Sequence, residues 1–286
     1  NLTSIDAATT VAVQAGNVTS ISGTATEVIA AYAADAATTI VLDGDEAVSV
    51  SGTVSVADAN TISGKTSGAV TATIATGSYT ALNALNETNN AFALTLNETI
   101  SVANANTLDA KTTGVVTATI STGASATLAG LNGTGNAYTV TVTDTSADAS
   151  ALTALDAKTT VAVQAGNVTT LSGTATEVIA AYAADTAGTL VLDNDEAVSV
   201  SGSVSVANAN TIADKTSGVV TASIASGTYT ALNALNETAN AYALSLSESI
   251  TVDQANTLNG KTAGVITATI STGASATLAG LNGTGN

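Results

Sequence analysis

Short stretches in which apolar and small polar residues alternate recur along the chain. The clearest, at 111–121, reads KTTGVVTATIS. Near-copies begin at four other lysines: Lys65, Lys158, Lys215 and Lys261. Alternation of β-branched residues predicts a strand with one buried face. We expect Val116, Ala118 and Ile120 to point inward. Thr117 and Thr119 are expected to point outward.

These candidate strands follow one another at regular steps, mostly of 22 to 24 residues. They centre near Val11, Val48, Val70, Phe92, Val116, Tyr138, Val161, Val198, Val220, Tyr242 and Ile266. Between strands, apolar residues three apart, such as Leu82 and Leu85, predict one or two turns of helix. The longer steps after Val11 and Val161 each contain a Thr-x-x-Glu capping box, at Thr24 and Thr174, which predicts a longer helix.

A second, longer repeat encloses the short one. Residues 1–136 align without gaps to 151–286, with mild replacements such as Phe92 by Tyr242. We therefore divide the chain into a first long repeat unit, 1–150, of about six coils, and a second, truncated unit, 151–286. A coil this short cannot bury its own apolar face, but stacked coils share one core.

The fold class predicted is a repeat protein, one continuous right-handed α/β solenoid with a parallel β-sheet and short helical turns. The alternative is an all-β solenoid, in which extended corners replace the helical turns. No initiator Met is present, and the pattern stops at Asn286 in mid-repeat. We expect the sequence to be a segment of a longer chain.

The chain contains strings such as ANANTLDAKTTGVVTATIS, LAGLNGTGNAYTVTVTD, ALTALDAKTTVAVQAG and LSGTATEVIAAYA. They resemble the tandem repeats of giant surface or secreted proteins of marine cyanobacteria and related marine bacteria, and the resemblance covers nearly the whole chain. The resemblance implies an extracellular or cell-surface location and a long repetitive fibre, coat or adhesin stalk. It carries no catalytic residue.

The amino-acid composition argues against several classes of function. The formal net charge is −17 with five basic residues, which argues against nucleic acid or anionic lipid as a partner. No apolar run is long enough to span a membrane. His and Cys are absent, so the usual nucleophile–base pairs of enzymes are unavailable. We expect no catalysis. The five lysines recur at one corner of the repeat and are expected to hydrogen-bond turn carbonyls.

One acidic turn, LDGDEAV, and its copy LDNDEAV are the candidate metal sites. Their carboxylates belong to Asp43, Asp45, Glu46, Asp193, Asp195 and Glu196. Calcium takes six to eight oxygen ligands, and alternate carboxylates on a tight turn supply several of them. The glycine-rich nonapeptide of calcium-loaded β-rolls and the EF-hand loop are both absent. A solvated acidic turn is the competing interpretation, and no other cofactor is expected.

Outward threonine pairs, such as Thr71 with Thr73 and Thr117 with Thr119, are typical of ice-binding solenoids. Other coils carry Ala or Ser at these positions, so the ladder is broken. We therefore expect a structural repeat segment of a long extracellular fibre, filament or coat protein, which self-associates or continues in a longer chain. An adhesin or metal-dependent binding module is the alternative, and ice binding is the weaker form of it.

Overall fold

A computed structural model describes residues 2–86, 88–236 and 238–282. The described residues form twelve α-helices: α1 Leu2–Asp6, α2 Ala25–Ala36, α3 Val56–Ser63, α4 Tyr79–Leu82, α5 Val102–Asp109, α6 Ser125–Leu128, α7 Ala149–Asp156, α8 Ala175–Ala187, α9 Val206–Ala213, α10 Tyr229–Leu232, α11 Val252–Asn259 and α12 Ser275–Leu278. They form sixteen strands: β1 Val13–Gln14, β2 Ser20–Thr24, β3 Ile40–Val41, β4 Ala47–Val54, β5 Val70–Ile74, β6 Ala91–Ile100, β7 Val116–Ile120, β8 Ala137–Thr139, β9 Ser146–Asp148, β10 Val163–Gln164, β11 Thr170–Thr174, β12 Leu190–Val191, β13 Ala197–Val204, β14 Val220–Ile224, β15 Ala241–Ile250 and β16 Ile266–Ile270.

The chain divides into two compact units. The first comprises Asn1–Ser121, Gly130–Val140 and Lys158–Val161, and the second comprises Thr122–Ala129, Thr141–Ala157 and Ala162–Asn286. The unit boundaries therefore do not coincide with the sequence repeat boundary at residue 150.

Each unit contains a six-stranded sheet, in which all strand pairs are parallel. The order is β2-β4-β5-β6-β7-β8 in the first unit and β9-β11-β13-β14-β15-β16 in the second. A short two-stranded parallel sheet, β1 with β3 or β10 with β12, accompanies each. Successive strands are mostly joined through a helix, as parallel pairing requires a crossover. The fold is thus α/β, and the helices exclude the all-β alternative.

Alternation along the strands separates core from surface as predicted. In β7, Val116, Ala118 and Ile120 are buried, whereas Thr117 and Thr119 are exposed. The leucines of the short helical segments, such as Leu82 and Leu85, are fully buried on the other side of the same core. Since Ala72 and Ala118 take inward strand positions, the helices approach the sheet closely there.

Side-chain caps begin most of the helices. In α2 the Thr24 hydroxyl accepts the Glu27 N–H at 3.3 Å, and Glu27 Oε2 accepts the Thr24 N–H at 2.8 Å. The capping box predicted from sequence is therefore confirmed, and α8 repeats it with Thr174 and Glu177. These contacts lower the pKa of the Glu27 carboxyl, because hydrogen bonds from Thr24 favour its charged form.

The strands predicted near Val11 and Val161 lie two residues further along the chain, at β1 and β10. Both residues lie in bends, and Val11 is 74% exposed. Val161 stands where the other lysine corners have a glycine, so it belongs to the turn, and the strand begins two residues later at Val163. The long steps also contain β2 and β11, which the sequence pattern did not reveal because Ser and Gly dominate them.

Among the described residues, no helix is both long enough and apolar enough to cross a membrane.

Candidate functional site

The acidic turn that follows β3 divides its carboxylates between core and solvent. Glu46 is fully buried, and Asp43 and Asp45 are exposed. Glu46 Oε2 accepts the Tyr32 hydroxyl at 3.2 Å, and Glu46 Oε1 accepts the Gly44 N–H at 3.3 Å. Burial is the main cause that raises the pKa of Tyr32 to about 12, and the neighbouring Glu46 charge adds to it. Glu46 therefore fixes the turn to helix α2.

The second copy of this turn makes the same contacts. Glu196 Oε2 accepts the Tyr182 hydroxyl at 3.0 Å, and Oε1 accepts the N–H groups of Asp193 and Asn194, both at 3.1 Å. Asn194 has φ +59°, and Gly44 at the equivalent position has φ +75°. Glycine and asparagine are the residues that tolerate this left-handed conformation best. This explains why one copy of the turn has glycine at this position and the other has asparagine.

Calcium ligation would need these carboxylates to converge, and they do not. Glu46 turns inward to Tyr32 and the turn backbone, so its oxygens are already hydrogen-bonded. Asp43 and Asp45 lie close to each other, and the charge of Asp43 therefore raises the pKa of Asp45. Within the described residues, no group of three His, Cys, Asp or Glu side chains is placed to hold a metal ion. The arrangement thus offers an aspartate pair, and calcium binding at either copy stays a prediction.

The threonine of each lysine corner bonds to the backbone of the preceding coil. The Thr112 hydroxyl accepts the Phe92 N–H at 2.8 Å and donates to the Phe92 carbonyl at 2.7 Å. Thr262 does the same to Tyr242, and Thr159 to Tyr138. Where the preceding strand is β4 or β13, Thr66 and Thr216 instead donate to the carbonyls of Glu46 and Glu196. These side chains link consecutive coils.

Glycine at this corner allows the two coils to approach. A Cβ placed on Gly114 would lie 2.5 Å from the Phe92 carbonyl oxygen, well inside van der Waals contact.

The lysine of the corner also bonds to a backbone carbonyl of the preceding coil. Lys111 Nζ donates to the Leu85 carbonyl at 2.7 Å and Lys261 Nζ to that of Leu235 at 2.8 Å. The predicted role of these lysines, bonding turn carbonyls, is confirmed at these two positions.

Asparagine forms a further series of contacts between coils, which the sequence analysis missed. Asn106 Nδ2 donates to the Gly130 carbonyl at 2.7 Å, and its Oδ1 accepts the Asn132 N–H at 2.8 Å. The same pair of bonds is made by three other asparagines of the A-N-T motif: Asn60, Asn210 and Asn256. The recurrence of that motif at one point in the coil was the available signal.

A second asparagine precedes several strands and is buried, whereas Asn106 is partly exposed. Asn136 Oδ1 accepts the Val116 N–H at 2.8 Å, and Asn90 and Asn240 make the same bond to Val70 and Val220. Each amide thus satisfies the first N–H of the neighbouring strand, which a buried strand end would otherwise leave unpaired.

The outward face of the first sheet carries threonines in interrupted rows. Thr99, Thr119 and Thr139 are neighbours on consecutive strands, and all three are exposed. The row through Thr117 ends at Ala137. The broken ladder expected from sequence is therefore present, and it leaves only short patches of regularly spaced hydroxyls.

Two grooves lie at equivalent positions in the two repeats, one beside helix α2 and the other beside helix α8. One, of about 300 Å³, is lined by Ile29, Tyr32 and Lys65, and another, of about 240 Å³, by Ile179, Tyr182 and Lys215. Their walls carry no carboxylate, and Lys215 Nζ lies 3.4 Å from Thr186 Oγ1.

Comparison with known proteins found no matching family model, no matching curated protein and no matching solved structure.

Proposed function

We propose that the chain is a structural repeat segment of a long extracellular fibre, filament or coat, built as a right-handed α/β solenoid. The observation that carries this proposal is the use of its recurring polar residues. Thr112, Asn106 and Asn136 all bond to backbone groups of a neighbouring coil. Residues that recur in several coils and bond to a neighbouring coil serve stacking, since a catalytic group would be needed only once.

Packing supports the same role. Each six-stranded parallel sheet is continuous from coil to coil, and its inward residues form a core shared along the stack. Aspartates such as Asp43 and Asp45 are exposed, as are many Thr and Ser residues. The net charge of −17 favours solubility and opposes nonspecific association. The resemblance of the repeats to those of giant surface or secreted proteins supports a location outside the cell.

Imaging of native material tests the proposal. Six strands at about 4.8 Å each give an axial repeat of about 29 Å for one 150-residue copy. Averaged images or fibre diffraction of the cell-surface fraction should contain this repeat. A monodisperse native protein without any axial repeat would contradict the structural role. Recovery of the protein only from the cell interior would contradict the proposed location.

A further inference from the structure

The groove of about 300 Å³ beside α2 is lined by side chains of α2 and α3 and by one lysine. Ile29, Tyr32 and Ile62 supply its larger apolar side chains. Ala33 and Ala36 are exposed and short, so they leave space between the two packed helices. The result is a mostly apolar recess that opens to solvent, and such recesses are the usual surroundings of small-molecule sites.

The lysine of the groove, Lys65, differs from its equivalent at the next lysine corner. Lys111 Nζ donates to the Leu85 carbonyl at 2.7 Å. Among the described residues, no group accepts a hydrogen bond from Lys65 Nζ, and the Lys65 side chain is exposed. An ammonium group that the fold does not use is therefore available at the groove.

The carboxylates nearest to the groove are bonded to backbone groups of the acidic turn. Burial, and then the charges of Glu46 and Asp35, raise the pKa of Tyr32, so both carboxylates lie near this tyrosine. Neither of them lines the groove. Asp35 Oδ1 accepts the Leu42 N–H at 2.8 Å, and Glu46 Oε1 accepts the Gly44 N–H at 3.3 Å. The groove thus combines an apolar lining with a single positive charge.

We propose that this groove is a binding site for a free fatty acid of medium chain length. The alkyl chain lies against Ile29 and Ile62, and the carboxylate pairs with the ammonium group of Lys65, so both parts of the ligand meet complementary groups. The net charge of −17 still opposes an anionic membrane surface, because that contact would involve many charges and not one. The inference goes beyond the proposed structural role and does not depend on it.

The second groove has the same plan with one relevant difference. It is lined by Ile179, Tyr182 and Lys215, and Thr186 stands where the first groove has Ala36. This groove measures about 240 Å³, and Thr186 Oγ1 lies 3.4 Å from Lys215 Nζ. Because the threonine occupies space and competes for the ammonium group, the second groove should bind the same ligand more weakly.

Decanoate is the probe, because it has a straight alkyl chain and one carboxylate. The full 286-residue chain, labelled at its isoleucine methyl groups, is titrated with decanoate below the concentration at which the ligand forms micelles. Saturable NMR shifts are expected at Ile29, and none at Ile120, which is buried in β7. A ligand of about twelve non-hydrogen atoms in an open groove should have a dissociation constant on the order of 1 mM. Octanoate, which lacks two methylenes, should bind about tenfold more weakly.

Substitutions of the lysines test the contact with the carboxylate. Lys65→Met keeps an apolar stem and removes the charge, and it should weaken binding at Ile29 about fivefold. Lys65 is exposed and makes no hydrogen bond through Nζ within the described residues, so the variant should fold normally. Lys111→Met is the matched control, because Lys111 belongs to another corner, and it should leave the affinity unchanged.

The difference between the two grooves provides an independent pair of variants. Ala36→Thr should weaken binding at Ile29 to the level of the second groove. Thr186→Ala should strengthen binding at Ile179 to the level of the first groove.

Absence of a saturable shift at Ile29 would overturn the inference. An unchanged affinity in Lys65→Met, or an equal loss in Lys111→Met, would do the same. Tighter binding at Ile179 than at Ile29 would contradict the assigned geometry, since the second groove is smaller and its lysine already has a neighbour.

Discussion

The Thr112 hydroxyl bonds to both backbone groups of Phe92, accepting its N–H at 2.8 Å and donating to its carbonyl at 2.7 Å. One small side chain thus satisfies two polar groups inside a fully buried stretch. Because Thr159 and Thr262 do the same, neutral hydroxyls recur among the contacts that attach one coil to the next.

Replacing Thr112 by valine keeps the side-chain shape and removes the hydroxyl. Both Phe92 backbone groups lose their partner in a site that water does not reach, so the free energy of unfolding should fall by about 1–3 kcal/mol. Urea unfolding measures the change. Thr117→Val, on the exposed face of the same strand region, is the matched control and should change stability by no more than about 0.5 kcal/mol. Equal losses would show that the Thr112 bonds contribute nothing specific.

Two buried tyrosines should respond oppositely to removal of the hydroxyl. Tyr138 Oη is buried with no hydrogen-bond partner. Tyr138→Phe should therefore leave the free energy of unfolding unchanged or raise it by about 1 kcal/mol. Tyr182 donates to the buried Glu196 at 3.0 Å. Tyr182→Phe strips a donor from a buried carboxylate and should cost about 1.5–3 kcal/mol. If both variants lose stability equally, Tyr138 has a partner in solution.

Gly114 should not tolerate a methyl group. The added Cβ would lie 2.5 Å from the Phe92 carbonyl oxygen, so the two coils would have to separate. We expect Gly114→Ala to lower the free energy of unfolding by about 1–3 kcal/mol, as overpacking does. Gly16→Ala is the control, because no atom lies within 4 Å of its added Cβ. A melting temperature unaffected by Gly114→Ala would contradict the close approach.

Alkaline pH should destabilise the fold. Burial, followed by the charge of Glu46, raises the pKa of Tyr32 from 10.0 to about 12. The folded state therefore favours the neutral phenol, and this contribution is complete below pH 10. It is lost as the pH rises from about 10 to 12, since the unfolded chain then releases the proton more readily. Burial also raises the pKa of Tyr138 and Tyr182. Urea midpoints between pH 8 and pH 12 should fall, and less steeply in Tyr32→Phe.

Removal of calcium should not alter stability. Glu46 and Glu196 already accept hydrogen bonds within the fold, which leaves one exposed aspartate pair in each acidic turn. We expect the same melting temperature in calcium and in a chelator. A lower value in chelator that the four substitutions Asp43→Asn, Asp45→Asn, Asp193→Asn and Asp195→Asn together abolish would establish the metal site predicted from the sequence.

The sequence predicted a helix or strand correctly where the residue types of that segment favour the element by themselves. Alternating Val, Thr and Ile in β7 and the Thr24–Glu27 pair both report a local structure directly. The inward turn of Glu46 was not predictable, because it depends on a tyrosine fourteen residues earlier reaching it across the core. The role of Asn106 was missed for a similar reason. Its partners lie on the next coil, and polar asparagines in a helix otherwise suggest a solvated surface.

The double hydrogen bond of Asn106 also constrains how such a chain can change length. Its amide contacts the Gly130 carbonyl and the Asn132 N–H, so the spacing of these two backbone groups must match the width of one amide. Insertion or loss of a single residue between them would misalign both bonds and the leucine that the loop delivers to the core. The copy 150 residues later keeps this contact, since Asn256 Nδ2 donates to the Gly280 carbonyl as Asn106 Nδ2 does to that of Gly130. Changes of length by a whole 150-residue unit are therefore compatible with the double bond, and a single-residue change between its two partners is not.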